Sequence, residues 1–289
     1  MHMRSWLSLA AALAVLAVGA VYISSKIDSD GSIDPTQDIA AIEAVYSDIL
    51  TPVAPPAPTV PVTAEGITVP IVVYHIVRPS YPSDNAAVRK LALTPETFDA
   101  QMKYLGDAKY NIINFSDVEN YFKNGTPLPA NPIIISFDDG WSNQYRYAFP
   151  ILKKYQYPAT FFVFTNAIDK KGFFTWDQLH ELMNAGMTIG SHSLSHPFLT
   201  KIKSEAVLWD EIYGSKQILE QKLGIKVNDF AYPFGQFNAL ATALVERAGY
   251  LSSRGDYMTK DRAFTRPFEI SAINSPTTLE QFKLKFPPN

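Results

Sequence analysis

Pro132-Ile133-Ile134-Ile135-Ser136-Phe137-Asp138-Asp139-Gly140 is a run of six mostly apolar residues, followed by two carboxylates and a glycine. A short apolar run of this kind is typical of a strand that is buried on both faces. The two acids therefore stand at the carboxyl end of a predicted strand. Taken alone, the Asp-Asp-Gly triplet is equally typical of an Asx turn closed by glycine.

Strands and helices alternate on both sides of this run from about Val69 onwards. Apolar strands are predicted at residues 69–74, 110–114, 132–137, 159–164, 187–190, 228–232 and 267–272. Helices are predicted to begin at Thr94-Pro95 and at capping boxes over residues 116–119 and 175–178, and to cover residues 145–155, 204–223, 238–248 and 278–285. This alternation predicts an α/β fold with a parallel sheet covered by helices.

Polar groups follow several of these strands at their carboxyl ends. They are His75, Asp138-Asp139, the segment from His192 to His196, and Pro233-Phe234-Gly235. The alternation by itself is compatible with an open doubly wound sheet or a closed barrel. Because a barrel brings such residues together on one face, their placement favours the barrel.

The histidine pair and the acid pair together predict a metal site. His192 and His196 follow a predicted strand, and the chain has only five histidines and no cysteine. Two neutral imidazoles and one carboxylate suit zinc or another divalent metal and leave a position for water. The two acids need not share a role: one can ligate the metal while the other takes a proton from water. The alternative is a pair of surface histidines in a serine-rich loop.

Composition narrows the class of protein. The chain has 289 residues, 47% of them apolar, and can bury one sizeable core. A formal net charge of −3 and the absence of a basic stripe give no reason to expect nucleic-acid binding.

The N-terminus predicts export. Arg4 precedes an uncharged apolar stretch over residues 6–23, which fits a signal peptide or a transmembrane anchor facing outwards. We expect residues 1–26 to be that segment, residues 27–66 to be a flexible proline-rich linker containing a short helix at 39–50, and residues 67–289 to be the catalytic domain.

Three motifs resemble those of the polysaccharide deacetylases that share the NodB homology domain, a carbohydrate esterase 4-like family. In order they are Ser136-Phe137-Asp138-Asp139-Gly140, Ser191-His192-Ser193-Leu194-Ser195-His196 and Tyr232-Pro233-Phe234-Gly235. The similarity extends from about residue 70 to residue 250. Val73-Tyr74-His75 resembles the branch of poly-N-acetylglucosamine deacetylases, in which the catalytic-acid histidine lies near the N-terminal end.

The resemblance implies a fold and a reaction. The fold would be a distorted (β/α) barrel of the NodB type. The reaction would be metal-dependent hydrolysis of N-acetyl groups on an N-acetylglucosamine-containing polysaccharide of the cell envelope or an exopolysaccharide. The implied cofactor is zinc, with cobalt and nickel as alternatives. We also expect a monomer that acts on the polymer outside the cytoplasmic membrane, either anchored there or secreted.

The resemblance also implies residue roles. Asp139, His192 and His196 would hold the metal, Asp138 would be the general base, and His75 the general acid. We also expect Phe234, through a backbone N–H, and Tyr232 to contact the substrate or the oxyanion. Trp141 directly follows Asp-Asp-Gly, and two interpretations stay open for it: stacking on a sugar ring, and a core or rim aromatic.

One position departs from the family pattern. Many members carry an arginine two residues before the proline of the third motif, where it orients the catalytic aspartate, and this chain has Ala231 there. Arg254 or Arg266 is a candidate replacement. Two other functions stay open at this stage: a non-catalytic carbohydrate-binding protein on the same fold, and a metal-dependent amidohydrolase acting on a small amide.

Overall fold

The computed structural model describes residues 69–255 and 267–288. The predicted N-terminal segment, the linker with its short helix, and Arg266 lie outside these residues. In the part of the chain that is described, no helix has the length and apolar character needed to cross a membrane.

Eleven short strands occur in the described ranges. They are β1 (Ile71–Tyr74), β2 (Ile76–Val77), β3 (Ala92–Leu93), β4 (Asn111–Ile113), β5 (Pro132–Phe137), β6 (Thr160–Val163), β7 (Thr188–Ser191), β8 (Asp229–Ala231), β9 (Ser252–Gly255), β10 (Ile270–Ser271) and β11 (Ile273–Asn274). Strands β2 and β3 pair with each other, and the remaining nine form one sheet.

All neighbouring strands of the large sheet are parallel, as the alternating pattern predicts. Eight of them lie in the order β10-β9-β8-β7-β6-β5-β1-β11. One edge of β5 is shared by two strands. Its first half pairs with β4, and its second half pairs with β6. The carboxyl ends of the strands therefore lie side by side at one end of the sheet.

The two ends of this order are joined by the chain itself. Strand β10 pairs with β9, strand β11 pairs with β1, and only Ala272 separates β10 from β11. The sheet is therefore a nearly closed barrel of eight parallel strands, which agrees with the predicted α/β barrel.

Helices cover the outside of the barrel. They are α1 (Ala86–Leu91), α2 (Pro95–Asp107), α3 (Phe115–Asn124), α4 (Phe149–Tyr155), α5 (Trp176–Asn184), α6 (Glu205–Trp209), α7 (Ser215–Leu223), α8 (Ala239–Arg247) and α9 (Leu279–Lys285). Two π-helical turns interrupt this regularity: Gln144–Ala148 leads into α4, and Asp210–Gly214 joins α6 to α7. We call them the first and the second π-turn.

Alternate residues of the strands enter two different apolar cores. Ile71, Val73, Ile134 and Phe162 share an inner cluster inside the barrel, and Phe115 and Val118 of α3 pack against it. Their strand neighbours, such as Val72, Tyr74 and Phe137, belong to the larger outer cluster under the helices. The two-residue period of a strand thus separates inward from outward side chains along the barrel wall.

One helix start was predicted wrongly, and one buried strand was not predicted. The capping box at α3 begins at Asn114 rather than Ser116, because the Asp117 carboxylate accepts the backbone N–H of Asn114 at 2.8 Å. Strand β9 was not predicted, since Ser252-Ser253-Arg254-Gly255 has no apolar residue although all four residues are buried.

Candidate metal centre

Every second residue of β1 and β5 faces the inside of the barrel, and this alternation continues into the predicted site residues. His75 extends the series Ile71 and Val73, and Asp138 extends the series Ile134 and Ser136. Because strand partners are level across β1, β5 and β6, these side chains enter the barrel at the same end. Sequence period and register together therefore place His75 and Asp138 near each other.

Three side chains form a compact cluster at this end. Nε2 of His196 lies 3.2 Å from Nε2 of His192 and 3.3 Å from Oδ1 of Asp139. Nε2 of His192 lies 3.6 Å from the same carboxylate oxygen. The structure thus brings together the three predicted ligands. Their ligand atoms all lie within 4.8 Å of one another, close enough to share one metal ion.

The triangle has the dimensions of a tetrahedral metal site. Ligand bonds of about 2.0–2.2 Å at tetrahedral angles place neighbouring ligand atoms about 3.3–3.6 Å apart. The observed separations, 3.2–3.6 Å, match these values. Two imidazole nitrogens and one carboxylate oxygen are also ligands that zinc and related divalent metals accept. The residues present therefore fit such a metal.

Neighbouring groups fix the orientation of two of these side chains. Nδ1 of His192 lies 2.7 Å from the carbonyl of Ala231, so a proton on Nδ1 leaves the Nε2 lone pair facing the cluster. The indole N–H of Trp141 donates to Oδ2 of Asp139 at 2.9 Å, which leaves Oδ1 toward the imidazoles. Trp141 also stacks on Phe173, with ring centroids 4.4 Å apart. Its indole is thus a partner of the carboxylate as well as a ring beside the cluster.

The turn after β5 explains why adjacent aspartates face different groups. Asp139 and Gly140 both have left-handed backbones, with φ of 73° and 72°. The chain therefore leaves the strand direction directly after Asp138. A Cβ added at Gly140 would lie 2.9 Å from a methyl of Val163, so the glycine is required by space as well as by φ. The triplet is both a glycine-closed turn and the source of a cluster carboxylate.

Asp138 is fully buried between a cation and two imidazoles. The Arg254 guanidinium donates to its Oδ1. Its Oδ2 lies 3.9 Å from Nε2 of His75 and 4.0 Å from Nε2 of His192. One carboxylate oxygen is thus held by arginine, and the other faces the space between His75 and the cluster.

Strand pairing explains how Arg254 reaches this position. Ala231 of β8 and Arg254 of β9 are direct register partners. Arg254 is fully buried, and its guanidinium lies 4.5 Å above the Phe162 ring inside the barrel. The chain thus carries an arginine one strand away from the position where the family pattern has it.

The charges around Asp138 set its protonation. Burial alone would raise the pKa of Asp138, but Arg254 and the imidazoles of His192 and His75 lower it below its usual range. Burial lowers the pKa of His75, and the charges of Asp138 and Asp139 offset part of that shift. Burial and the neighbouring His192 lower the pKa of His196 to about 4. At neutral pH the carboxylate is therefore ionised and His196 neutral, the forms that act as base and as ligand.

The remaining predicted residues lie at different distances from the cluster. Phe234, with a left-handed φ of 60° and 45% of its surface exposed, stands 4.6 Å from His196 between ring centroids and stacks on Phe198. The structure does not bring the Tyr232 side chain into the site. Its ring is buried in the outer core against Phe237, and its hydroxyl donates to the carbonyl of Phe268 at 3.1 Å.

Sequence reasoning missed two buried polar residues of this site. Gln144 of the first π-turn donates through Nε2 to the carbonyls of His75 and Asp138, at 2.7 and 2.6 Å. Glu211 of the second π-turn accepts hydrogen bonds from the segment between His192 and His196. Neither residue lies in a motif, and only the folded chain brings them to the site.

The fold and this cluster define a class: a parallel α/β barrel with two histidines and one aspartate gathered at the carboxyl ends of its strands. The family model described as polysaccharide deacetylase matches residues 125–252, which contain every residue of the cluster. Residues 125–252, less than half of the 289-residue chain, are therefore identified as a polysaccharide deacetylase domain.

Relatives agree with this assignment. A Bacillus subtilis (strain 168) protein named for the family, YxkH, is 28% identical over 188 residues, covering 65% of this chain and 64% of that protein. The poly-beta-1,6-N-acetyl-D-glucosamine N-deacetylase of Staphylococcus aureus (strain MRSA252) is 27% identical over 180 residues, covering 58% and 62%. The chain thus spans less than two thirds of the length of these curated relatives.

A solved structure shows the same fold over most of the chain. The Streptococcus pyogenes deacetylase PplD, in complex with acetate, superimposes with a TM-score of 0.70 at 25% identity. The match covers 77% of this chain and 99% of PplD.

Proposed function

We propose that this protein is a metal-dependent hydrolase that removes N-acetyl groups from an N-acetylglucosamine-containing polysaccharide. The observation that carries the proposal is the triangle of Asp139, His192 and His196 beside an ionised Asp138. The match to the family model supports the reaction class. The name of the Staphylococcus aureus relative supports the choice of polymer.

The triangle would hold one divalent metal, with zinc preferred and cobalt or nickel as alternatives. Bound there, the metal would supply Lewis-acid chemistry, making water more acidic and an amide carbonyl more electrophilic. Asp138 would take the proton of the attacking water, a role supported by its Oδ2, which faces the space beside the cluster while Arg254 holds Oδ1. The arginine keeps the base ionised and oriented.

His75 would give a proton to the departing amine. An amine leaves a tetrahedral intermediate poorly unless it is protonated, so this reaction needs an acid as well as a base. Nε2 of His75 lies 3.9 Å from Asp138 Oδ2, so the base and the acid share one side of the site. The water oxygen would bond to the acetyl carbon as its proton passes to Asp138. The carbon–nitrogen bond would then break as His75, in its protonated form, gives its proton to the amine nitrogen. The products are acetate and a free amino sugar.

The surroundings of the cluster suit a sugar polymer. Trp141 stacked on Phe173 and Phe234 stacked on Phe198 place aromatic rings beside the cluster. Aromatic faces offer apolar area to sugar rings, and the backbone N–H of Phe234 would bind the oxyanion. Tyr232 would contribute through its backbone, since its side chain lies in the outer core.

The N-terminal sequence supports a location outside the cytoplasmic membrane. We propose that residues 1–26 export the chain, that residues 27–66 tether it, and that the catalytic domain works outside the cytoplasmic membrane as a monomer, anchored or secreted. An N-terminal anchor of this kind suits a polymeric substrate of the cell envelope.

An acetate-release assay tests the function. The full-length chain is loaded with zinc, cobalt or nickel and offered poly-N-acetylglucosamine, chitin oligomers, peptidoglycan and small N-acetyl amides. We expect acetate from an amino-sugar polymer and loss of that activity with a chelator. Polymer binding without acetate would favour a carbohydrate-binding protein, and cleavage of small amides alone would favour a different amidohydrolase.

A further inference from the structure

The second π-turn contacts the segment that carries two proposed metal ligands, His192–His196, which we call the ligand loop. Glu211 of this turn is 8% exposed. Its Oε2 accepts the backbone N–H groups of Leu194 and Ser195 at 3.1 and 2.9 Å. Its Oε1 accepts the Ser195 hydroxyl at 2.5 Å. One carboxylate thus receives three hydrogen bonds from the middle of the ligand loop.

The ligand loop needs such contacts because its backbone is strained. Ser193 and His196 have φ of 70° and 61°, a region that residues other than glycine rarely adopt. Hydrogen bonds from outside the loop add to the one inside it, in which the His196 N–H donates to the Ser193 hydroxyl at 2.9 Å. On the side opposite Glu211, the carbonyls of Ser193 and Leu194 accept N–H groups of Thr165 and Asn166, at 3.2 and 2.9 Å.

The backbone of the second π-turn takes part as well. The carbonyl of Glu211 accepts the Leu194 N–H at 3.0 Å, in addition to the side-chain contact. The next carbonyl, of Ile212, accepts the hydroxyls of Tyr250 and Ser215 at 2.9 and 2.8 Å. Carbonyls of a regular α-helix bond mainly within the helix, whereas these two carbonyls bond to groups outside the backbone ladder. The turn therefore ties the helix to the loop by main chain and side chain.

The structure assigns Glu211 the role of a positioning residue that holds both loop imidazoles toward Asp139 and so strengthens divalent-metal binding. Its carboxylate bonds to Leu194 and Ser195 rather than to any cluster side chain, so it acts through the loop backbone. This role rests on the proposed metal-dependent function. Partners that orient metal ligands typically contribute 10- to 100-fold to metal affinity.

Cobalt titration of the full-length chain tests this role without using activity. The visible absorption bands of bound Co²⁺ report coordination, and competition with a chromophoric chelator gives the affinity. We expect Glu211→Ala to bind Co²⁺ about 10- to 100-fold more weakly. Ser195→Ala removes one of the three bonds and should lose about fivefold, the equivalent of one hydrogen bond. Asp210→Asn, an exposed neighbour in the same turn, is the matched control and should bind as the unmodified chain does.

The conservative variant separates positioning from simple stabilisation. Glu211→Gln keeps one oxygen for the two N–H groups and can donate its amide to the Ser195 hydroxyl, so it should restore most of the affinity. A purely structural Glu211 would lower the Tm of Glu211→Ala and leave the Co²⁺ affinity of the folded protein unchanged, which would overturn the role. If Glu211→Ala does not fold, unchanged affinity in Ser195→Ala overturns it instead. An unmodified chain that binds no Co²⁺ would refute the proposed function itself.

Discussion

At the scale of single residues, we expect Asp138 and the three proposed metal ligands to make separable contributions to catalysis. Asp138→Asn should lower acetate release about 10²- to 10⁴-fold, the usual value of a positioned base, and keep the metal, because Asp138 is outside the ligand triangle. His192→Ala should lose the metal itself. Metal content measured beside kcat distinguishes the two variants, and full activity in Asp138→Asn would contradict the base assignment.

Arg254 offers a second residue-scale prediction, on pH dependence. Burial raises the pKa of Asp138 and Arg254 lowers it, so Arg254→Ala should raise that pKa. The base is then protonated up to a higher pH, and the acidic limb of the kcat/KM profile moves toward neutral pH. Removing one partner of a buried ion pair should also cost about 3–5 kcal/mol of stability.

Arg254→Lys is the matched control for that profile, since it keeps a positive charge beside the carboxylate. The ion pair between Arg254 and Asp138 also makes the stability of the fold depend on pH. Because the folded pKa of Asp138 is below its ordinary value, the ion pair stabilises the fold above that ordinary value and less as pH falls below it. If both Arg254→Ala and Arg266→Ala left the pH profile unchanged, neither arginine would orient Asp138 or lower its pKa.

At the scale of elements, the first π-turn carries a prediction of its own. Gln144 joins the ends of β1 and β5 by donating to the carbonyls of His75 and Asp138. Gln144→Leu should lower kcat about 10- to 100-fold, since small displacements of acid and base are costly, while metal affinity stays nearly unchanged. Arg146→Gln, an exposed neighbour in the turn, is the control. An equal loss of metal affinity would show that Gln144 supports the whole site.

Elements also show what the sequence could and could not predict. Strand β5 was predicted with its observed bounds, because an apolar run next to Asp-Asp-Gly has a clear start and end. The same period that predicts a strand places His75 and Asp138 inside the barrel. Strand β9 has polar buried residues whose partners are distant in sequence, so no local pattern indicates it. Arg254, Gln144 and Glu211 were missed or left open for that reason.

At the scale of the whole molecule, the barrel has an acidic pair at the end opposite the site. Burial and the charge of Asp229 raise the pKa of Glu119 on α3 to about 7, and burial raises the pKa of Asp229 at the start of β8 to about 6. Both groups are protonated more readily in the folded chain than in the unfolded one. Each therefore stabilises the fold at low pH and loses that contribution as pH rises through its folded pKa.

Glu119→Gln tests this effect on global stability. The variant should match the unmodified chain at pH 4 and be more stable by about 1–2 kcal/mol at pH 8, because it has no charge to bury. Thermal unfolding across this pH range measures the difference. Glu246→Gln, an exposed glutamate on α8, is the control. Equal pH curves for the Glu119 variant and the unmodified chain would contradict the prediction.

The segment that joins the two ends of the barrel has a consequence for biosynthesis. Val72 of the first strand pairs with Ile273 near the end of the chain, about two hundred residues later. Contacts between such distant residues form late, because the intervening chain must be ordered first. A growing chain therefore cannot complete the barrel until Ile273 has been synthesised. Until then, β1 lacks one of the two neighbouring strands that it has in the folded barrel.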